Sequence, residues 1–210
     1  MDRTIRVSGE AQLKLRPDTA ILALCLEGVG RRYQDAADQA DSRLRDLQQL
    51  AEREGFACAD LKTEHFRIEG RYVYRKHRDG KNEYVQDGYR YCHRLNLRFP
   101  LDQEKLARLL QALSEAEPAP EVNVRYTVED QEAARRELLT QAVADARQKA
   151  QVLSTAAGAE LGQVLTIADE DSSYDFYNAP VMGVCRDASM APAGAQMELE
   201  TTVSITWALV

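Results

Sequence analysis

Between Pro17 and Val128, strand-like and helix-like spacings of apolar residues follow one another in an order that strongly constrains the fold. Residues 20–26 are apolar at consecutive positions, which is typical of a strand buried on both faces in the middle of a sheet. Residues 33–54 repeat their apolar positions at helical spacing, and Gly55 supplies the left-handed residue that ends many helices. A central strand followed by an amphipathic helix is therefore predicted.

The second half of this region is predicted to continue with a hairpin, a helix and a final strand. Apolar and aromatic residues alternate with polar ones over 66–99, and Asp79–Gly80 is a turn signal between the two runs. Asp102 is a favourable helix cap, and residues 122–128 alternate as a strand does. The resulting β-α-β-β-α-β order is that of a ferredoxin-like unit.

The rest of the chain needs a second sheet. A helix is predicted over 131–157 and strands over 164–168 and 197–209, and the strand that begins at Thr4 has no place in the ferredoxin-like unit. We therefore expect an α+β protein with two lobes, the second of which is discontinuous in sequence. The predicted domains are residues 17–128 for the first lobe and residues 1–16 with 129–210 for the second, which includes a loop over 169–196.

The long helix of the second lobe carries small residues on one predicted face, which allows close approach to a sheet. Asp145 and Lys149 are spaced as an i, i+4 ion pair with the acid first, the favourable orientation. We interpret this pair as structural rather than catalytic, because exposed pairs of this kind contribute only about 0.3–0.5 kcal/mol. The predicted packing face consists of Leu139, Ala142, Val143, Ala146, Ala150, Leu153 and Ala157.

Size and charge narrow the classes of function. A chain of 210 residues with 44% hydrophobic content can bury a large core. The net charge of -7 argues against a general polyanion binder, because affinity for phosphates depends on Lys and Arg. No stretch approaches the roughly 20 apolar residues of a membrane-spanning helix. Residues 1–7 run into a strand pattern without a signal-peptide pattern, so we expect a cytoplasmic protein, or a periplasmic one if a leader was removed.

Cysteines and histidines show no spacing typical of a metal site or a catalytic site. Cys92 and His93 are neighbours on a predicted strand, so they point to opposite faces. We interpret the cysteines as reduced thiols, with Cys25 as a small core residue, and we predict no cofactor, no metal and no catalytic residue. The residues considered are Cys25, Cys58, Cys92, Cys185, His65, His77 and His93.

Arginines recur on one face of the predicted hairpin, opposite its apolar and aromatic residues. On an acidic protein, such a face would suit a protein or subunit contact, a solvated surface balanced by acids, or single-stranded nucleic acid. Nucleic acid is the weakest of these, because RNA-binding sheets of this topology expose aromatic residues. The candidate interface residues here are Arg67, Arg71, Arg75, Arg90, Arg94 and Arg98.

The loop over 169–196 is long enough to be either functional or disordered. Its acids lack the spacing of a calcium loop. One interpretation is an arm that contacts a neighbouring subunit or another partner, with Phe176, Tyr177 and Met182 as its anchors. Simple disorder is the other.

Short motifs along most of the chain resemble the SIMPL domain family, which is mostly bacterial and includes periplasmic immunogenic-like proteins. The most specific motif is the Ala-rich block from Ala142 to Val164, and its support comes from Gly9, Pro17–Asp18 and Gly88–Tyr89. The resemblance implies a two-part α+β molecule, assembly into rings or barrels in some members, and a link to stress responses. It supplies no catalytic residue.

These observations lead to two hypotheses from different classes. The first is a non-enzymatic, self-assembling or protein-interaction module that uses the arginine-rich hairpin and the 169–196 loop. The alternative is a small-ligand or redox-linked binding protein that uses a cleft between the lobes, with cysteines as sensors. Exposed, acidic thiols would favour the alternative.

Overall fold

The computed structural model describes residues 3–76, 82–170 and 196–210. These ranges contain both helices and antiparallel sheets, so the predicted α+β fold is confirmed. In chain order the elements are β1 (Thr4–Leu15), β2 (Thr19–Gly30), α1 (Tyr33–Arg53), β3 (Leu61–Lys76), β4 (Asn82–Pro100), α2 (Gln103–Ser114), β5 (Glu121–Thr127), α3 (Gln131–Ala156), β6 (Leu161–Asp169) and β7 (Met197–Leu209).

Contacts divide the described chain into two units, which are presented separately below. One unit contains residues 19–126, and the other contains residues 3–18, 127–170 and 196–210. Over these ranges, the helices lack a continuous apolar stretch of the length that a bilayer crossing requires.

The unit of residues 19–126 is built on a four-stranded sheet with the strand order β3-β4-β2-β5. This is the arrangement of a ferredoxin-like β-α-β-β-α-β unit, which confirms the prediction. β2 is an interior strand, and its side chains at Leu22 and Leu24 are buried. Gly55 follows α1 with φ +82°, and Asp102 caps α2 by accepting a hydrogen bond from the backbone N–H of Lys105.

The two faces of this sheet differ. Every odd-numbered residue of β4 from Tyr91 to Phe99 is buried on the face that α1 covers. The even-numbered residues of β4, among them Arg90, Cys92 and Arg94, lie on the opposite face. No helix of this unit covers that face among the residues described, and we call it the open face.

The second unit contains a three-stranded antiparallel sheet with the order β1-β7-β6. β1 runs unbroken from Thr4 to Leu15, in register with β7 along its whole length. Six alternating side chains of β7 are buried, those of Met197, Leu199, Thr201, Val203, Ile205 and Trp207. α3 packs mainly on β1 and β7, with fewer contacts to β6.

The packing face of α3 was only partly predicted. Ala142, Ala146 and Ala150 are fully buried against the sheet, as expected. Val143, Leu153 and Ala157 are exposed, so their assignment to this face was wrong. The buried residues recur strictly every four positions, at Ala134, Leu138, Ala142, Ala146, Ala150 and Ser154. A narrow i, i+4 row touches the sheet because small side chains bring the helix close along one line.

Asp145 joins α3 to β1. Its carboxylate accepts a hydrogen bond from the backbone N–H of Glu10 at 2.9 Å. It also forms an ion pair with Lys149 Nζ at 2.7 Å, which confirms the predicted pair. The hydrogen bond from Lys149 and the one from Glu10 lower the pKa of Asp145 below its ordinary value. Both partners are partly exposed, so we interpret the contact as a helix-to-strand clamp.

Candidate functional site

Two cysteines that lie 67 positions apart in the sequence meet on the open face. β2 and β4 pair antiparallel, with Cys25 opposite Arg94 and Glu27 opposite Cys92. Cys25 and Cys92 are therefore diagonal neighbours, and their sulfur atoms are 3.6 Å apart. Both side chains are half-buried. The prediction that Cys25 is a small core residue was therefore wrong.

Glu27 adds a carboxylate to this thiol pair. One oxygen of Glu27 and the two sulfur atoms all lie within 4.8 Å of one another. Arg90 Nη2 donates to both carboxylate oxygens of Glu27 at 2.7 Å, which holds the side chain in place. We call Cys25, Cys92 and Glu27 the thiol–carboxylate cluster.

The local environment favours the protonated form of Cys25 and of Cys58. Burial is the largest cause that raises the pKa of Cys25 to about 11, followed by its hydrogen bond with Cys92. The pKa of Cys58 is also raised, because its thiol donates to Glu52 Oε1 at 2.9 Å. A nucleophilic or easily oxidised cysteine needs a lowered pKa, so neither thiol has the character of an acidic sensor.

A depression of about 310 Å³ on the open face borders the thiol–carboxylate cluster. Cys25, Glu27 and Arg94 line one side of it, and Asn123 of β5 lines the other. The Oδ1 atom of Asn123 is buried and has no hydrogen-bond partner among the residues described. An unpartnered acceptor beside two thiols and a carboxylate makes this the most chemically distinctive place on the unit.

The predicted arginine residues do not form one uniform basic patch. Arg67, Arg90, Arg94 and Arg98 are exposed on the open face, but Arg90 is paired with Glu27 and Arg67 with Glu69 at 3.4 Å. Arg71 is exposed next to a register irregularity in β3, and Arg75 belongs to the end of that strand. Acids on the same face offset part of the positive charge.

Several predicted residues fall elsewhere. Phe176, Tyr177, Met182 and Cys185 lie outside the described residues, as do His77 and the turn at Asp79–Gly80. His93 is buried beneath the sheet, where its Nε2 lies 2.9 Å from Thr63 Oγ1, and burial lowers its pKa. His93 and Cys92 therefore point to opposite faces, as predicted.

A second surface of interest is the outer edge of β6. This strand pairs with β7 on one side, and no described strand pairs with its other side. Its apolar side chains are unusually open to solvent, with Val164 at 48%, Leu165 at 45% and Ile167 at 62% exposure. No charged side chain occurs between Leu161 and Ala168.

A third surface lies on the hairpin of β3 and β4. Over residues 82–88, β4 does not pair with β2, and the two strands of the hairpin pair only with each other among the described residues. Tyr72, Tyr74 and Tyr84 are exposed on this extension, and the last two rings make an edge-to-face contact at 5.2 Å.

The thiol–carboxylate cluster escaped sequence analysis because its residues share no local spacing. Only the register of β2 against β4 brings position 25 to position 92. The usable signal was the alternation of both strands, which places odd residues of β2 and even residues of β4 on one face. That signal gives the face but not which residues are opposite each other.

Comparison with known proteins agrees with the motifs quoted above. A search of curated proteins found no match to this chain. The family model of SIMPL, described as a protein of unknown function (DUF541), matches residues 5–207. The match covers both units, from β1 to β7. The chain therefore belongs to the SIMPL family, whose description assigns no activity.

Proposed function

We propose that this protein is a non-enzymatic interaction module that self-associates through the outer edge of β6, with a second copy of the same chain as its partner. The observation that carries this proposal is the combination of a strand edge with which no described strand pairs and three exposed apolar residues, Val164, Leu165 and Ile167. We place the contact on β6 rather than on the arginine-rich hairpin, because two of those arginines already have acidic partners.

An open strand edge presents a row of unpaired N–H and C=O groups that another strand can bind. Natural edge strands usually avoid this with a Lys, a Pro or an inward-pointing charge. β6 has none of these between Leu161 and Ala168. Pairing would therefore satisfy the backbone and remove apolar surface from water at the same time.

Charge does not oppose a second copy at this edge. Copies of a chain with a net charge of -7 repel one another over most of their surface. The uncharged run of β6 is an exception, because an antiparallel pairing of two β6 strands about a two-fold axis sets no like charges opposite each other within it. Such a pairing would join two three-stranded sheets into one of six strands.

Register irregularities limit this edge. The pairing of β6 with β7 shifts between Leu161 and Val164 and again between Val164 and Thr166. Irregularities of this kind bend a strand and shorten the segment that can pair. We therefore expect a reversible, concentration-dependent association rather than a permanent one.

The test is light scattering of the wild-type chain and a Leu165→Lys/Ile167→Lys variant over a range of concentrations. We expect the wild type to exceed its monomer mass of 23.6 kDa and the variant to stay at that mass. Val152→Lys is the matched control, because Val152 is an exposed apolar residue on α3 rather than on the edge. A wild type that is monomeric throughout would sink the proposal.

An oligomer that survives in the β6 variant would assign the contact to another surface. The next variant is then Arg94→Glu/Arg98→Glu, which changes the charge of the open face and leaves β6 intact. The redox-sensor alternative has weaker support, because the pKa values of Cys25 and Cys58 are both raised. Thiol titration with and without peroxide tests it directly.

A further inference from the structure

We infer that the thiol–carboxylate cluster of Cys25, Cys92 and Glu27 is a binding site for a thiophilic divalent cation of the Zn²⁺ class. This inference is independent of the proposed self-association, because the cluster lies on β2 and β4 of the other unit. It rests on four observations: the spacing of the sulfurs, the nearby carboxylate, the charge balance, and the Oδ1 atom of Asn123, which has no hydrogen-bond partner within the described part of the chain.

The distance between the two sulfur atoms fits a shared metal better than a disulfide. Two thiolates at 2.3 Å from a tetrahedral metal are about 3.8 Å apart, close to the observed 3.6 Å. Diagonal neighbours on antiparallel strands have Cα atoms about 7–8 Å apart, beyond the usual reach of a disulfide. Cys25 and Cys92 stand in this diagonal relation.

The ligand set selects the kind of cation. Two sulfurs are soft ligands, which Mg²⁺ and Ca²⁺ do not favour, while the carboxylate oxygen of Glu27 suits Zn²⁺ better than Cu⁺. Three protein ligands with a fourth position left for water is an established zinc arrangement. Asn123 Oδ1, which lines the same depression without a described partner, could accept a hydrogen bond from that water.

The charges balance when the metal binds. Each thiol releases its proton, and the two thiolates with Glu27 then carry three negative charges. A divalent cation offsets two of them, and Arg90, which already holds Glu27 through two hydrogen bonds, offsets the third. Arg90 also fixes the orientation of the carboxylate, the usual role of a group behind a metal ligand.

The site can be reached from solvent. Glu27 is exposed, the two cysteines are half-buried, and the depression opens on the same face. A cation can therefore enter without unfolding the sheet. The strands already hold the ligand atoms together, so little ordering of the chain is needed on binding.

The experiment uses Cd²⁺ as a spectroscopic probe for Zn²⁺, because cadmium–thiolate bonds absorb in the ultraviolet. The reference protein is the full chain with Cys58→Ser and Cys185→Ser, kept reduced, so that only the paired thiols remain. We expect one Cd²⁺ per chain with a charge-transfer band. Cys25→Ser or Cys92→Ser should abolish stoichiometric binding, and Zn²⁺ should compete with Cd²⁺.

Glu27→Gln is expected to weaken binding at least about tenfold. Glu69→Gln is its matched control. Glu69 belongs to β3, which pairs with the opposite edge of β4 from β2, and it lies opposite Arg90 in register but outside the cluster. A charge-transfer band that persists in Cys25→Ser, or equal affinity in the Glu27 and Glu69 variants, would overturn the assignment. Circular dichroism checks that each variant is folded.

A second measurement needs no substitution in the sheet. Wild-type chain is alkylated with iodoacetamide with and without Zn²⁺, and the modified peptides are identified by mass spectrometry. Zn²⁺ should protect Cys25 and Cys92 together and leave Cys58 unprotected, because Cys58 has a carboxylate neighbour but no second thiol beside it among the cysteines that the structure describes. Equal protection of Cys58, or no protection of the pair, would contradict the inference.

Discussion

Gly9 of β1 lies against the backbone of α3. A Cβ at this position would stand 2.1 Å from the carbonyl oxygen of Ala142 and 2.6 Å from the Cβ of Ala146. Neither neighbour is a flexible side chain that could move away. The absence of a side chain at Gly9 and the alanine row of α3 are therefore two halves of one contact.

Gly9→Ala is expected to lower the free energy of unfolding by about 1–3 kcal/mol, since overpacking forces the helix and the strand apart. The measurement is chemical denaturation followed by circular dichroism. Ser8→Ala, whose side chain is exposed on the same strand, is the control and should change stability by less than about 0.5 kcal/mol. Equal effects of the two substitutions would refute the close-packing argument.

Asp145 makes the stability of the second unit depend on acid pH. Its pKa is lowered in the folded chain, so its contribution is present at neutral pH and is lost as pH falls below about 3.8, the ordinary value. Asp145→Asn should cost about 1 kcal/mol at pH 7, typical of one hydrogen bond to a partly exposed charge.

The pH series separates this effect from simple loss of packing. We expect the stability difference between wild type and Asp145→Asn to shrink as the pH falls from about 3.8 through the lowered pKa of the folded chain, because the wild-type carboxyl group then becomes protonated as well. Asp46→Asn, on the exposed side of α1, is the control and should show no such convergence. A difference that stays constant with pH would argue against the clamp.

At the scale of elements, the hairpin of β3 and β4 contains two regions that differ in how many other elements pack against them. Leu95 and Leu97 lie in a strand with neighbours on both sides and a helix below. Val73 and Val85 lie in the extension, where the two strands pair only with each other among the residues described. A two-stranded ribbon alone is only marginally stable in water.

Amide hydrogen exchange should report this difference. We expect amides at 72–74 and 84–86 to exchange much faster than those at 95–97, because the extension can open without unfolding the sheet. If association with another molecule covers the tyrosines, the same amides should become protected at high concentration. Uniformly slow exchange along β4 in dilute solution would show that the extension has support beyond its own pairing.

For the whole molecule, salt distinguishes apolar from charged association. The proposed β6 contact contains no charged residue between Leu161 and Ala168, so the oligomer mass should change little between low and high ionic strength. A contact through the arginines of the open face would weaken as salt is added. Light scattering across a salt series checks this, and dissociation at high salt would favour the arginine surface.

Periodicity alone predicted the fold because each element has to bury one face. The continuous apolar run of β2, the alternation in β7 and the helical repeats of α1 and α2 depend on local spacing, which the sequence displays directly. The face of α3 was less well predicted, because alanines flank its buried row closely and the apolar pattern leaves the exact row open. Val143 and Leu153 fit the pattern but not the contact.

The sequence by itself determined the order of the elements, the family, and which residues of a strand share one face of a sheet. The tertiary structure decided which residues meet. Cys25, Glu27 and Cys92 form a cluster only because β4 pairs with β2 in one register, and a shift of one residue would separate them. The exposed edge of β6 likewise depends on the strand order β1-β7-β6. Both candidate sites arise from pairings between distant segments, which local spacing does not encode.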